Sequence, residues 1–171
     1  DRLFPAGDYE SEINPAAVAL TATLATLLRR GLLLWIDYGF PAREYYHPQR
    51  TTGTLMCHYR QHAHSDPLVL PGLQDITAHI DFSAVAQGAI DAGLELAGYA
   101  TQAGFLLNCG ITDLLRQAGD PDTAEFLRHS NAVQRLLSPA EMGELFKVIA
   151  FSREVAQPLR GFTQGDRSGR L

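Results

Sequence analysis

The chain has 171 residues, of which 46% are hydrophobic and 19% are charged. This balance is typical of a globular domain and excludes an intrinsically disordered chain. With 14 basic and 19 acidic side chains the formal charge is −5, which argues against a general nucleic-acid binder. Cys57 and Cys109 lie far apart in sequence, which excludes a disulfide framework and a cysteine-rich zinc site.

The first half of the chain predicts a helix, a strand and a long insertion. Asn14 and Pro15 suit the N-cap and first position of a helix that follows a loop. Residues 32–36 are apolar on both faces, as in a buried strand, but are far too short to span a bilayer, which takes about 20 residues. Residues 40–80 are polar and broken by prolines, which indicates an insertion of the kind that often carries function. Within it, residues 54–59 predict a short strand.

The second half returns to regular elements. Asp81 or Ser83 caps a predicted helix, residues 94–101 predict a strand, and helices follow up to residue 137. Ser138 and Glu141 form a capping-box pattern that predicts one more helix start. Residues 146–152 predict the last strand. The segment 157–171 is rich in Gly, Arg and Gln, and we expect it to be a flexible tail.

These elements predict an α/β chain with three strands. Three strands make a small sheet for this length, and a strand that is apolar on both faces needs neighbours. We therefore expect residues 1–156 to be the C-terminal part of one domain, with the insertion at 40–80. The chain begins with Asp1 rather than methionine, which fits a processed chain or a piece of a longer one.

Several motifs then occur in a recognisable order. The sequence resembles the C-terminal part of the MidA-type S-adenosylmethionine-dependent methyltransferases, and the resemblance covers about residues 3–152. Its most specific block is QDITAHIDF at 74–82. The other matching stretches are GLLLWIDYG at 31–39, Gly53-Thr54-Leu55, His62, Asp66-Pro67, Pro71-Gly72, Thr101-Gln102, Phe105-Leu106, Gly110-Ile111 and MGELFK at 142–147.

The resemblance implies the C-terminal half of a class I (Rossmann-like) methyltransferase sheet, mostly parallel with an antiparallel last strand. On this mapping, residues 32–37, 94–101 and 146–152 are the fifth, sixth and seventh strands. It implies S-adenosylmethionine as cofactor and a protein substrate, with arginine of a respiratory complex I subunit as a candidate acceptor. It implies a cytoplasmic protein in a bacterium and a mitochondrial matrix protein in a eukaryote.

The cofactor motif of such enzymes is missing from these residues. Methyltransferases of this class bind the cofactor with a glycine-rich turn after the first strand of the sheet, whereas no G-x-G occurs in this sequence. We therefore expect most of the cofactor site to lie outside this chain and the chain alone to be inactive. A small sheet also exposes an edge, so that pairing between copies is an open possibility.

Four residues are the candidates for the substrate side. Asp37 ends a strand on the side where open α/β sheets bind ligands, and Asp75 in a polar loop could receive a guanidinium. His62 and Thr77 fall within or beside the matching motifs. Each has a structural alternative: a turn cap for Asp37, an ion pair with Arg50 or Arg60 for Asp75, a helix-start cap for Thr77, and a hydrogen-bonded loop histidine for His62.

Two other functions stay open. His58, His62, His64 and His79 are close enough in sequence to suggest a zinc site and a metal hydrolase, but nearby prolines disfavour a common face and the resemblance implies no metal. The other alternative is a non-catalytic assembly factor that binds a protein through the insertion.

Overall fold

The computed structural model describes residues 8–171. None of the helices in this part combines the length and apolar character that crossing a membrane requires. The elements are α1 (Pro15–Leu27), β1 (Gly31–Phe40), α2 (Ala42–Tyr45), β2 (Met56–Tyr59), β3 (His62–His64), β4 (Asp75–Thr77), β5 (Ile80–Asp81), α3 (Phe82–Asp91), β6 (Glu95–Thr101), α4 (Gln102–Cys109), α5 (Ile111–Arg116), α6 (Ala124–Leu137), β7 (Phe146–Arg153) and two 3-10 turns at Arg160–Phe162 and Ser168–Arg170.

The main sheet has four strands in the order β5-β1-β7-β6. Strand β7 lies antiparallel between β1 and β6, with Leu34 opposite Ala150 and Tyr99 opposite Ile149, so β1 and β6 are parallel to each other. This confirms the predicted α/β class and the antiparallel last strand. Strand β5 pairs with the other edge of β1 in parallel, through residues 39–40 of β1 alone.

Helices α1 and α3 cover one face of this sheet. Their core includes Ala25, Phe82 and Ile149, all without exposed surface. Gly88 sets the distance between the two helices, because a Cβ there would lie 2.6 Å from Cγ1 of Val18. The close approach of α1 and α3 therefore depends on a glycine at this position.

The opposite face of β1 is uncovered in the described part of the chain. Helix α4 and the turn at Arg160–Phe162 pack over Val148 and Ala150 of β7 and over β6, but not over β1. Leu32, Leu34 and Ile36 are 45%, 43% and 49% exposed. The strand that reads as apolar on both faces thus has one face buried here, and its edge is unpaired up to Tyr38 within residues 8–171.

The insertion forms its own three-stranded sheet, in the order β3-β2-β4. The strand predicted at residues 54–59 is present as β2. Arg60 and Gln61 both have positive φ, 47° and 69°, which makes the two-residue hairpin turn between β2 and β3. The insertion is tied to the N-terminal segment, since the Glu10 amide donates to the Thr51 carbonyl at 2.9 Å.

The capping-box pattern at Ser138 does not start a helix. The Ser138 carbonyl instead accepts from the amides of Glu141 at 3.1 Å and Gly143 at 2.8 Å, which closes a turn. A Cβ at Gly143 would lie 2.2 Å from the Leu137 carbonyl oxygen, so the chain folds back tightly. These residues therefore form a tight turn between α6 and β7 instead of a helix start.

Residues 157–171, which we expected to be a flexible tail, pack along the outer edge of the sheet. The Arg167 amide donates to the Tyr99 carbonyl at 2.6 Å, and the Tyr99 amide donates to Asp166 Oδ1 at 3.0 Å. Phe162 is 8% exposed and lies over Gly98, where a Cβ would be 2.2 Å from its ring. The segment is ordered because it satisfies the polar edge of β6 and buries an aromatic ring.

Replacing Phe162 with Ala tests this packing. We expect the free energy of unfolding to fall by about 3 kcal/mol, the usual loss when a buried aromatic ring is truncated. Urea denaturation followed by circular dichroism measures it. The matched control is Leu107→Ala, since Leu107 is 49% exposed. Equal stability of the two variants would mean that the C-terminal segment does not contribute to the core.

Candidate functional site

The carboxyl end of β1 is where the main sheet and the insertion meet. Gly39 and Phe40 pair with Ile80 and Asp81 of β5, which leads directly from the insertion into α3. A Cβ at Gly39 would lie 2.1 Å from the Ile80 carbonyl oxygen, so glycine permits this approach. Because ligands of open α/β sheets bind at the carboxyl ends of the strands, this is the edge where a functional site is expected.

Three rings form a cluster at this edge, which we call the aromatic cluster: Tyr38, Phe40 and His79. The His79 imidazole stacks on Phe40 with centroids 5.2 Å apart and an interplanar angle of 8°. Its edge contact with Tyr38 has centroids 5.1 Å apart at 75°. The Arg50 guanidinium carbon lies 4.5 Å from the centroid of the Phe40 ring.

The surroundings of His79 favour its neutral form. Burial lowers the pKa of His79 below its usual 6.5, and the nearby charge of Arg50 lowers it further. Its Nδ1 is buried and has no hydrogen-bond partner among the described residues. The position of the imidazole therefore depends mainly on its ring contacts and on the position of the His79 backbone.

Asp37 precedes this cluster on β1 and lines a cleft that none of the three rings lines. Its Oδ1 accepts a hydrogen bond from the Tyr38 amide at 2.8 Å, which fixes the carboxylate near the carboxyl end of β1. The cleft, of about 310 Å³, lies between α1, β1 and α3, and Asp37 lines it together with Trp35, Ile80 and Phe82. A half-buried carboxylate against apolar walls is suited to bind and orient a cationic group.

Glu12 binds the loop at Thr54 and Leu55 beside this site, and it is not among the residues predicted from sequence. Its carboxylate accepts from the amides of Thr54 and Leu55, at 3.0 and 2.8 Å, and from the Thr54 hydroxyl at 3.1 Å. Burial acts to raise the pKa of Glu12, but these hydrogen bonds prevail and hold it below its usual value. The partners lie 42 and 43 residues away, so no local pattern indicates them.

The four predicted site residues are divided between the two sheets. Asp37 is in the main sheet, whereas His62, Asp75 and Thr77 are in the small sheet of the insertion. His62 and Asp75 are exposed, and the Thr77 hydroxyl donates to the Met56 carbonyl at 3.2 Å. Among the histidines of the insertion, the structure places His79 rather than His62 against Tyr38. The roles of His62, Asp75 and Thr77 stay predictions.

Three of the four clustered histidines lie on β2 and β3, and none of them is opposite another histidine: His58 is opposite Ala63, His62 opposite Tyr59 and His64 opposite Cys57. Across residues 8–171, the structure has no group of three or more His, Cys, Asp or Glu side chains placed to hold a metal ion.

Comparison with known proteins gives the family of this chain. A family model described as "Putative S-adenosyl-L-methionine-dependent methyltransferase" matches residues 2–100. The chain belongs to this family. The match confirms the MidA-type resemblance seen in the sequence, since curated relatives of the chain are NDUFAF7 proteins named as mitochondrial protein arginine methyltransferases.

Two of these relatives and two solved structures show how far the similarity extends. The NDUFAF7 of Danio rerio is 32% identical over 149 residues, and that of Rattus norvegicus is 36% identical over 127 residues. A crystal structure of a Burkholderia thailandensis protein is 58% identical and superposes with a TM-score of 0.92 over 95% of this chain. A second one, bound to S-adenosyl-homocysteine, is 57% identical with a TM-score of 0.92 over 96% of the chain.

The chain spans only part of each of these proteins. The alignments cover 78% and 70% of this chain but 33% and 26% of the fish and rat proteins. They cover 44% and 42% of the two Burkholderia chains.

The glycines of this part of the family fold do not form a cradle for the cofactor. Those that exclude a Cβ are packed against the protein itself: Gly39 on Ile80, Gly53 on Glu12, Gly88 on Val18, Gly98 on Phe162, Gly143 on Leu137 and Gly161 on Phe105. Of the other glycines with positive φ, Gly72, Gly119 and Gly165 are exposed, and an added Cβ would meet no atom within 4 Å. An added Cβ at Gly31, Gly93 or Gly110 would lie within 3.4 Å of a side chain of this chain. Residues 8–171 therefore do not match the glycine-rich turn by which such sheets hold a nucleoside.

Proposed function

We propose that this chain is part of a S-adenosylmethionine-dependent protein methyltransferase and forms the substrate side of its active site, with an arginine of a partner protein as methyl acceptor. The observation that carries the proposal is the position of Asp37 and the aromatic cluster at the carboxyl end of β1. Family membership supplies the reaction class, and the carboxylate in the cleft supplies the affinity for a cation.

Methyl transfer to a guanidinium depends more on how the two reactants are positioned than on proton transfer. A carboxylate at Asp37 can accept hydrogen bonds from a guanidinium and concentrate its positive charge on one side. This orients a nitrogen toward the donor, and fixed placement of two reactants removes much of the entropic barrier to their reaction. The cofactor supplies the methyl group when it is bound, and the apolar walls of the cleft, which include Trp35 and Phe82, limit the access of water to the acceptor.

The proposal includes a dependence on residues outside these 171. No strand of residues 8–171 pairs with the edge of β1 from Gly31 to Tyr38, and Leu32, Leu34 and Ile36 present an apolar face next to it. We propose that the rest of the sheet pairs here and brings most of the cofactor site. The chain alone would then be inactive. A second copy of the chain at the same edge is the competing occupant, and it would appear as a dimer in ultracentrifugation.

The partner and the compartment are inferred from the relatives. NDUFAF7 proteins are named as mitochondrial. A eukaryotic member would then act in the mitochondrial matrix, with a respiratory complex I subunit as its candidate acceptor. A bacterial member would act in the cytoplasm on a protein of the same kind.

A second candidate function is protein binding without catalysis, as an assembly factor. The insertion favours it, because Leu68 and Leu73 are 81% and 69% exposed on its surface. Replacing both with Ser should abolish capture of the partner in a pulldown under either hypothesis. Methyl transfer by the unchanged protein separates the two.

The deciding experiment is transfer of a radiolabelled methyl group from S-adenosylmethionine. The full-length protein is incubated with candidate acceptor proteins, and the labelled residue is identified by mass spectrometry. We expect label on arginine. Saturable binding of an acceptor together with no transfer to any residue would support the assembly-factor function instead.

A further inference from the structure

We propose that Glu12 is a positioning residue: acting through Thr54, it holds the His79 imidazole between Tyr38 and Phe40 at the carboxyl end of β1. The importance of this arrangement for methyl transfer rests on the proposed function, whereas the arrangement itself does not. Glu12 lies just before α1, so the contact joins the N-terminal segment, the insertion and the sheet.

The first link runs from Glu12 to Thr54. The Thr54 amide is 3.0 Å from both carboxylate oxygens of Glu12, and the amide of Leu55 is 2.8 Å from Oε1. The Tyr45 hydroxyl adds a longer contact of 3.4 Å. Gly53 leaves room for the carboxylate, since a Cβ there would lie 2.2 Å from Oε1. An acceptor-only group that receives several donors at once defines the path of this loop.

The second link runs from Thr54 to His79. The Thr54 hydroxyl donates its single proton to Glu12 Oε2 at 3.1 Å, which leaves its lone pairs as acceptors. One of them accepts from the His79 amide at 3.0 Å. The negative charge of Glu12 therefore orients the hydroxyl, and the hydroxyl fixes the backbone from which the imidazole projects.

The third link is the ring itself. With its backbone held by Thr54 on one side and by the β1–β5 pairing on the other, His79 stacks on Phe40 and meets Tyr38 edge-on. The charged groups that act on the imidazole are Arg50, Glu12, Lys147 and Asp37.

A purely electrostatic role for Glu12 predicts the opposite result from a positioning role. The charge of Glu12 raises the pKa of His79, while burial, the largest influence, lowers it. If Glu12 acted by charge alone, Glu12→Gln would lower the pKa of His79 further. If Glu12 positions the ring, the loosened imidazole gains water and its pKa rises toward the usual 6.5.

The test is NMR titration of His79 in full-length protein with labelled histidine, assigned with His79→Gln. We expect a higher His79 pKa and weaker ring-current shifts in Glu12→Gln and in Thr54→Val, which keeps the charge of Glu12. Thr54→Ser retains the hydroxyl and should behave as the wild type. Glu10→Gln is the matched control, because this neighbouring acid is exposed.

Methyl-transfer activity is the second measurement of this test. With the full-length enzyme, Thr54→Val should lower kcat about tenfold, the scale expected when a site is slightly misplaced, and Thr54→Ser should restore it. Unchanged His79 signals in Thr54→Val, or a lower His79 pKa in Glu12→Gln, would overturn the inference. Should Glu12→Gln fail to fold, Thr54→Val still decides it. Absence of transfer by the wild type would refute the proposed function, and the NMR result would still stand.

Discussion

Asp37→Asn in the full-length protein should lower the rate of methyl transfer to an arginine acceptor by about tenfold or more. The amide is nearly the same size, and its oxygen can still accept from the Tyr38 amide, so the strand end should keep its shape. What is lost is the negative charge that would face a guanidinium in the cleft. Steady-state transfer of labelled methyl groups, with kcat and KM measured separately, gives the effect.

The matched control for Asp37 is Asp91→Asn. Asp91 is an exposed carboxylate at the end of α3 and accepts from the Gln87 side-chain amide at 2.7 Å. We expect this variant to retain wild-type turnover and stability. Normal turnover in Asp37→Asn as well would remove Asp37 from the active site.

Calorimetric titration of S-adenosylhomocysteine should show no binding to the 171-residue chain and clear binding to a protein extended upstream to its start codon. The physical reason is that the glycines of residues 8–171 do not form the glycine-rich turn that binds such a cofactor. Several are packed closely against the chain itself, such as Gly39 against Ile80, whereas Gly72, Gly119 and Gly165 are exposed and an added Cβ there would meet no atom within 4 Å. A strand at the open edge of β1 and the loop after it would have to provide the missing turn.

Circular dichroism of the short chain is the control for this titration, because an unfolded chain would also fail to bind. The expected result is a cooperative transition, since Phe82 and Ile149 lie in a closed core between the sheet and helices α1 and α3. Binding of the ligand to the folded short chain would mean that it contains its own cofactor site, and the proposed dependence on a further part of the sheet would be refuted.

The sequence by itself determined the elements whose signals are local. Asn14 caps α1 as predicted, since its Oδ1 accepts from the Ala17 amide at 3.0 Å. The apolar run at 32–36 became the strand β1, and the block at 74–82 gave the family. The position of Asp37 near the carboxyl end of β1 also followed from sequence, although the strand continues to Phe40.

Only the tertiary structure decided which distant residues meet. Glu12 and Thr54 are 42 residues apart, and either residue alone reads as an ordinary polar loop residue. Whether His62 or His79 reaches Tyr38 depends on how the insertion folds back onto the sheet. The C-terminal segment shows the same limit: its composition favours disorder, yet the free edge of β6 orders it around Tyr99. Local sequence determines the helix and strand propensity of a segment. These contacts instead depend on hydrogen-bonding groups and apolar surfaces that are brought together only when the sheet forms.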